Sequence, residues 1–243
     1  LSKAVEKSMK DERLKTDLIT NVSHDIKTPL TSIINYVDLL KRENIQDPKI
    51  QGYLDILEAK AQRLKHLTED VVEASKISSG NITMEYMNIN FVEMINQTTG
   101  EFTEKFEKRN LQIVLNVPEK PVMVRTDGRR MWRVIENIYN NAAKYALEGT
   151  RVYANLIEKE HTVEFSLKNI SEQPLNISAD ELTERFIRGD VSRSTEGSGL
   201  GLSIAKNLTE LQGGKFELYL DGDLFKVTIV FPKAVVGQSV TKP

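Results

Sequence analysis

"NVSHDIKTPL" (Asn21–Leu30) sets a histidine and a proline inside a run that otherwise reads as one long amphipathic helix. Proline has no amide hydrogen for the carbonyl four residues back, and its ring crowds that turn. Histidine carries a ring that titrates near neutrality. At about 100° per residue with His24 at zero, Val22, Ile26, Leu30, Ile33, Val37 and Leu40 fall between about 160° and 240°. That stripe is the face to be buried. His24 lies opposite, with Thr28, Thr31 and Asn35 within about 40° of it, so it is expected in water. An exposed helical histidine is ordinarily inert, and that reading suits His66 and His161. His24 differs in its neighbours. Asp25 directly follows and is placed to hold the near ring nitrogen, which leaves the far one as a nucleophile. Thr28, one turn on, offers a hydroxyl that can hold a water. Pro29 leaves the Asp25 carbonyl without its usual partner and loosens the helix where a reacting group needs room.

Working outward, "NIQDPK" (Asn44–Lys49) breaks the helical pattern with a cap and a proline. Helices are expected at Ser2–Glu43 and Pro48–Ser78. The second carries Ile50, Leu54, Leu57, Ala61, Leu64, Val71 and Ser75 at helical spacings. Two antiparallel helices have little to bury alone, so a homodimeric four-helix bundle is expected. "SSGN" (Ser78–Asn81) ends this region and reads as a mobile connection. A helix is then expected near Asn90–Lys108, strands at "LQIVLNV" (Leu111–Val117) and "VMVRT" (Val122–Thr126), and a helix from the cap Asp127 to about Ala146. "RVYANLIEK" and "HTVEFSLKN" form a hairpin pair, and "KFELYLDGDLFKVTIVF" a second one turning at Asp221–Gly222. Between them lies a helix-and-loop stretch that leads into a glycine-rich turn and helix. Without regular βαβ alternation the class is α+β: a helical-hairpin domain over 1–79, an α/β sandwich with a mixed sheet over 80–233, and a frayed tail over 234–243.

Lys plus Arg number 33 and Asp plus Glu 35, a net charge of −2; nothing points to nucleic acid or an acidic membrane. The absence of cysteine excludes disulfides, zinc–thiolate sites and thiol catalysis. No run spans a bilayer and no signal peptide is visible. The chain opens at Leu1 in a helical pattern, so it is expected to be a piece of a longer protein.

"RRMWRVIENIYNNAAKYA" (Arg129–Ala146) holds three asparagines within five residues, a cost to any helix. Asn137, Asn141 and Lys144 share one face, and Ile138, Ala142 and Tyr145 give an apolar flank. Such a face is either plainly solvated or sets an amide oxygen on a hard cation and an ammonium near phosphates. "EGSGLGLSIAK" (Glu196–Lys206) puts Gly197, Gly199 and Gly201 at a helix start, where backbone N–H groups meet an anion.

"NVSHDIKTPLTSI" resembles the phosphoacceptor box of bacterial sensor histidine kinases. The resemblance implies that His24 takes the γ-phosphoryl group of ATP and passes it to an aspartate of a response regulator. Asp25 would assist as base and orienter, and Thr28 would serve a reverse phosphatase reaction. The asparagine stretch is similar to the family's asparagine box, which implies that Asn141 binds Mg²⁺, Asn137 supports the metal and phosphate shell, and Lys144 contacts phosphate. Tyr145 and Leu202 join the nucleotide contacts. The glycine triplet resembles the second glycine box, with Asp190–Ser198 as a lid. "ERFIRGD" (Glu184–Asp190) resembles the phenylalanine box: Phe186 matches its second aromatic, Thr183 stands where the first is usual, and Arg188 and Arg193 reach towards the γ-phosphate. The chain departs from the family in "LKNISEQPLNIS" (Leu167–Ser178), where Asn169 replaces the adenine-binding aspartate and Ser171 a glycine. The resemblance implies a Bergerat-type ATP domain, a cytoplasmic location and a parent protein anchored in a membrane by an upstream region. Rival readings are a phosphatase-dominated member with weak ATP binding, and an ATP-switched dimeric scaffold without phosphotransfer.

Overall fold

The computed structural model describes residues 2–43, 45–80, 82–175 and 200–234; the side chains of 2–18 and of 20, 21, 24 and 78 lie outside that description. The chain divides into two compact units, one running to Ile82 and the other beginning at Thr83.

The first unit is a hairpin of α1 (Ser2–Arg42) and α2 (Pro48–Ser78). Asp47 caps α2: its side chain accepts from the Lys49 amide, and Pro48 opens the helix, where its missing N–H costs nothing. Pro29 is accommodated inside α1. In the turns around it, Thr31 Oγ1 donates to Lys27 O at 2.8 Å and Ser32 Oγ to Thr28 O at 3.3 Å. Near the turn that joins the helices Lys41 sits 2.7 Å from both Asp55 and Glu58, whose hydrogen bonds hold its ammonium well above the usual lysine range.

The expected apolar stripe divides in two. Leu30 and Val37 are 4% and 5% exposed, and Ser23 beside them is buried. These three sit at about 220–260° on the helical wheel. Val22 and Ile33, at about 160–180°, are 53% and 49% exposed, and Ile26 and Leu40 are open as well. In α2 the same split recurs, with Leu54 and Ala61 buried and Ile50, Leu57, Leu64 and Val71 exposed. Each helix spends one strip on its hairpin partner and leaves the neighbouring strip uncovered.

The second unit runs β1 (Tyr86–Asn90), α3 (Phe91–Glu107), β2 (Gln112–Asn116), β3 (Met123–Asp127), α4 (Gly128–Tyr145), β4 (Arg151–Glu158), β5 (Thr162–Ile170), α5 (Gly201–Leu211), β6 (Lys215–Asp221) and β7 (Leu224–Pro232). The main sheet has the order β2-β4-β5-β7-β6; β2 and β4 are parallel and the other pairs antiparallel, so it is mixed. β1 and β3 form a separate antiparallel pair in which Tyr86 faces Asp127. Alternate residues of β5 and β7, such as Val163, Phe165, Leu167, Val227 and Ile229, are buried under the helices. The core is aromatic: Tyr139 stacks on Phe165 at 6.2 Å, and Phe91 and Phe102 lie 6.3 Å and 5.4 Å from Phe165 and Tyr139 respectively. The Tyr139 hydroxyl meets Thr99 Oγ1 at 2.8 Å, which satisfies it inside that core.

Three details differ from the sequence reading. β1 was not expected. The last hairpin turns at Gly222–Asp223, because Asp221 is still paired with Leu224; Gly222 supplies the positive φ of 56° that the first turn position needs. Ala234 is buried and its amide donates to Met123 O at 2.9 Å, so it belongs to the folded unit; the rest of the expected tail lies outside the described residues.

Candidate active site

α4 carries the asparagine face. Asp127 starts it: Oδ1 accepts from the Arg130 amide and Oδ2 from the Glu85 amide, both at 3.0 Å. Burial opposes ionisation of Asp127, but these amides and the Arg130 charge outweigh it and hold the carboxyl below its usual range. Gln212, just past α5, accepts from Thr126 Oγ1 and, at 3.0 Å, from the Asp127 amide. Its own amide group donates to Leu208 O at 2.8 Å. One buried side chain thereby joins the end of α5 to the start of α4.

On the face itself Asn137, Asn141 and Lys144 are half-buried, while Ile138 and Ala142 pack inward, as their spacing predicts. Asn137 lies against the start of α5. A Cβ on Gly201 would come 3.1 Å from Asn137 Oδ1, so glycine there permits the close approach. Asn137 Nδ2 is buried and has no hydrogen-bond partner. Lys144 Nζ lies 5.0 Å from the Tyr145 ring centroid. The third asparagine, Asn140, has another job: its Oδ1 accepts from Lys105 Nζ of α3 at 2.5 Å. Burial lowers the Lys105 pKa, Glu136 opposes that and Lys144 adds to it.

Asn169 ends the buried part of β5, with 3% of its surface exposed. Its Nδ2 donates to Ile170 O at 3.1 Å, and its Oδ1 is buried without a partner. The adjacent backbone is tied to the end of α4: Leu147 N donates to Ile170 O and Glu172 N to Tyr145 O, each at 2.8 Å. Ser171 N donates to Asp223 O at 2.7 Å. The structure thus brings Asn137 to Gly201, and the end of α4, with Lys144 and Tyr145, to the segment after Asn169. Leu202, the second residue of α5, is buried. Phe186, Arg188, Arg193, Gly197, Gly199 and the expected lid lie outside the described residues.

In the hairpin unit His24 lies on α1, and its side chain is outside the described set. Asp25, Lys27, Thr28 and Pro29 around it are exposed. Sequence reasoning missed Gln212 and Arg109. The latter donates to the last carbonyls of α4 and to Glu172, and only the folded chain brings those groups together.

The site fits a nucleotide with its metal. Two buried polar atoms, Asn137 Nδ2 and Asn169 Oδ1, lack partners, a cost that a ligand would relieve. Asn141 offers a hard amide oxygen, and among the described residues no group of three His, Cys, Asp or Glu could hold a metal instead. Mg²⁺ retains waters and phosphate oxygens, so a single protein oxygen is enough to seat it.

Residues 14–80 match the His Kinase A (phospho-acceptor) domain, and residues 126–235 match the Histidine kinase-, DNA gyrase B-, and HSP90-like ATPase family. A phosphoacceptor helix pair and this ATPase fold occupy one chain, and the chain belongs to the sensor histidine kinases of two-component systems. It is 32% identical to Sensor protein VanSC of Enterococcus gallinarum over 238 residues, covering 94% of this chain and 65% of that protein. The chain therefore spans a little under two thirds of that relative's length. Among solved structures it is similar in fold to full-length ShkA in complex with AMPPNP, with a TM-score of 0.73, 20% identity, and coverage of 91% of this chain and 47% of the other. It is also similar in fold to histidine kinase ThkA in complex with response regulator protein TrrA, with a TM-score of 0.61, 24% identity, and coverage of 96% and 67%. Among the described residues no helix is long and apolar enough to cross a membrane.

Proposed function

We propose that the chain is the cytoplasmic catalytic part of a sensor kinase that phosphorylates itself on His24 from ATP and passes the phosphoryl group to an aspartate of a response-regulator receiver domain. Residues 1–79 would dimerise and carry His24; residues 80–233 would bind ATP. The observation that carries this reading is the α4 face, where Asn137, with its unpartnered buried Nδ2, meets the start of α5 at Gly201. The match of residues 14–80 to a phosphoacceptor domain supports His24 as the receiving group. The solved ThkA complex supports a receiver domain as partner.

Each residue has a stated part. Asn169 Oδ1 accepts from the adenine amino group. Lys144 and Arg188 neutralise phosphate oxygens, with Phe186 and Tyr145 beside the nucleotide. The amides at Gly197, Gly199, Gly201 and Leu202 cradle phosphates at the α5 N-terminus. Asn141 seats Mg²⁺, which when bound supplies charge neutralisation to the triphosphate. Asp25 orients the His24 ring so that its free nitrogen attacks the γ-phosphorus in line while the bond to the leaving ADP oxygen breaks. Thr28 positions water for the reverse hydrolysis of the phosphorylated regulator. Catalysis is mainly positioning, because phosphoryl transfer needs aligned groups and neutralised charge more than covalent help. The uncovered strips of α1 and α2 support a homodimer, closed as a four-helix bundle.

Incubation with Mg-ATP labelled at the γ-position should label the protein through an acid-labile phosphoramidate. His24→Ala should abolish the label while leaving ATP binding intact. A His24→Ala protein that still labels would overturn the assignment.

A further inference from the structure

Arg109 sits in the turn after α3, where its amide donates to Phe106 O at 3.0 Å and Asn110 takes a φ of 51°. Its Nη1 donates to Ala143 O at 3.0 Å and to Lys144 O at 2.6 Å. These are among the last carbonyls of α4, which a helix end leaves without amide partners. A cation there also meets the negative end of the helix dipole. The other arm, Nη2, donates to Glu172 Oε2 at 2.7 Å. Glu172 lies three residues past Asn169, and its own amide donates to Tyr145 O. One planar guanidinium thus grips both the helix that carries Asn137, Asn141 and Lys144 and the chain that continues from Asn169.

We propose that Arg109 is a positioning residue that sets the separation between the base-binding and phosphate-binding halves of the nucleotide site. The proposal rests on the nucleotide reading above. ATP spans both halves. Once one end is seated, the other end binds as an intramolecular event whose effective concentration depends on how well the two halves hold their spacing. If the spacing floats, a ligand that bridges both halves loses that advantage. A ligand that fills only one half loses nothing. A residue that served the fold alone would weaken all ligands alike.

The test compares three ligands by NMR titration of the full chain: Mg-ATP, adenosine and Mg-tripolyphosphate. Arg109→Met should weaken Mg-ATP about tenfold, with adenosine and tripolyphosphate each held within about twofold. KM for ATP in His24 labelling should rise by the same factor while kcat at saturation holds. Glu172→Met, which removes the acceptor of one arm and leaves the helix end capped, should show the same pattern at smaller size. Arg109→Lys should fall between, since an ammonium lacks the fork that reaches both sides. Equal weakening of all three ligands, or unchanged ATP affinity, overturns the proposal. If the unsubstituted chain binds none of the three, the nucleotide reading itself fails.

Discussion

The hairpin and the α/β unit meet the problem of burial in opposite ways. The hairpin covers Leu30, Val37, Leu54 and Ala61 and leaves Val22, Ile33, Leu57 and Leu64 in water. The α/β unit closes its core within one chain, around Phe91, Tyr139 and Phe165. The difference separates two kinds of stability. The ATP-binding fold depends on its own packing. The hairpin leaves an apolar strip uncovered, and in the homodimer proposed above its folding would be tied to protein concentration.

The comparison can be broken at its strongest point first. Ile33→Glu combined with Leu57→Glu should convert the dimer to monomer in sedimentation, because each buries a charge in the strip left for the partner. Thermal unfolding of the α/β unit should not move. A double variant that sediments as the original does would refute the split. Next in size, Phe165→Ala should cost the α/β unit about 3–5 kcal/mol, read by denaturant unfolding, with the dimer unaffected. Loss of the dimer in that variant would show that the units are not independent. The smallest effect belongs to Asp127. Asp127→Ala should cost about 1–2 kcal/mol through the lost cap. The folded pKa of Asp127 lies below its unfolded value, so its contribution is full above the ordinary aspartate pKa and fades as pH falls through the folded one. The gap between variant and parent should therefore shrink in acid; a constant gap would contradict the cap's charge dependence.

Much of this was legible in advance because it is local. Asp47 and Pro48 mark the start of α2, and Asp127 that of α4, by capping chemistry that needs no distant partner. The α4 face followed from helical spacing. The unread parts are tertiary. The strand β1, "YMNIN", alternates too weakly to announce itself and exists because β3 pairs with it. The α1 stripe was read as one face, but only packing shows which strip α2 takes. Asn140 fell outside the face read from the spacing, and nothing local foretells that its oxygen accepts from Lys105, 35 positions away. Arg109 is one cation among many in the sequence, and its partners lie 34, 35 and 63 positions away.

β6 forms the outer border of the five-stranded sheet, paired with β7 alone. Along it stand Lys215, Glu217 and Asp221, all exposed, and Lys215 bonds Glu217. Charged side chains on a border strand discourage a foreign strand from docking. The sheet can therefore end at this strand without recruiting an edge from another copy of the domain.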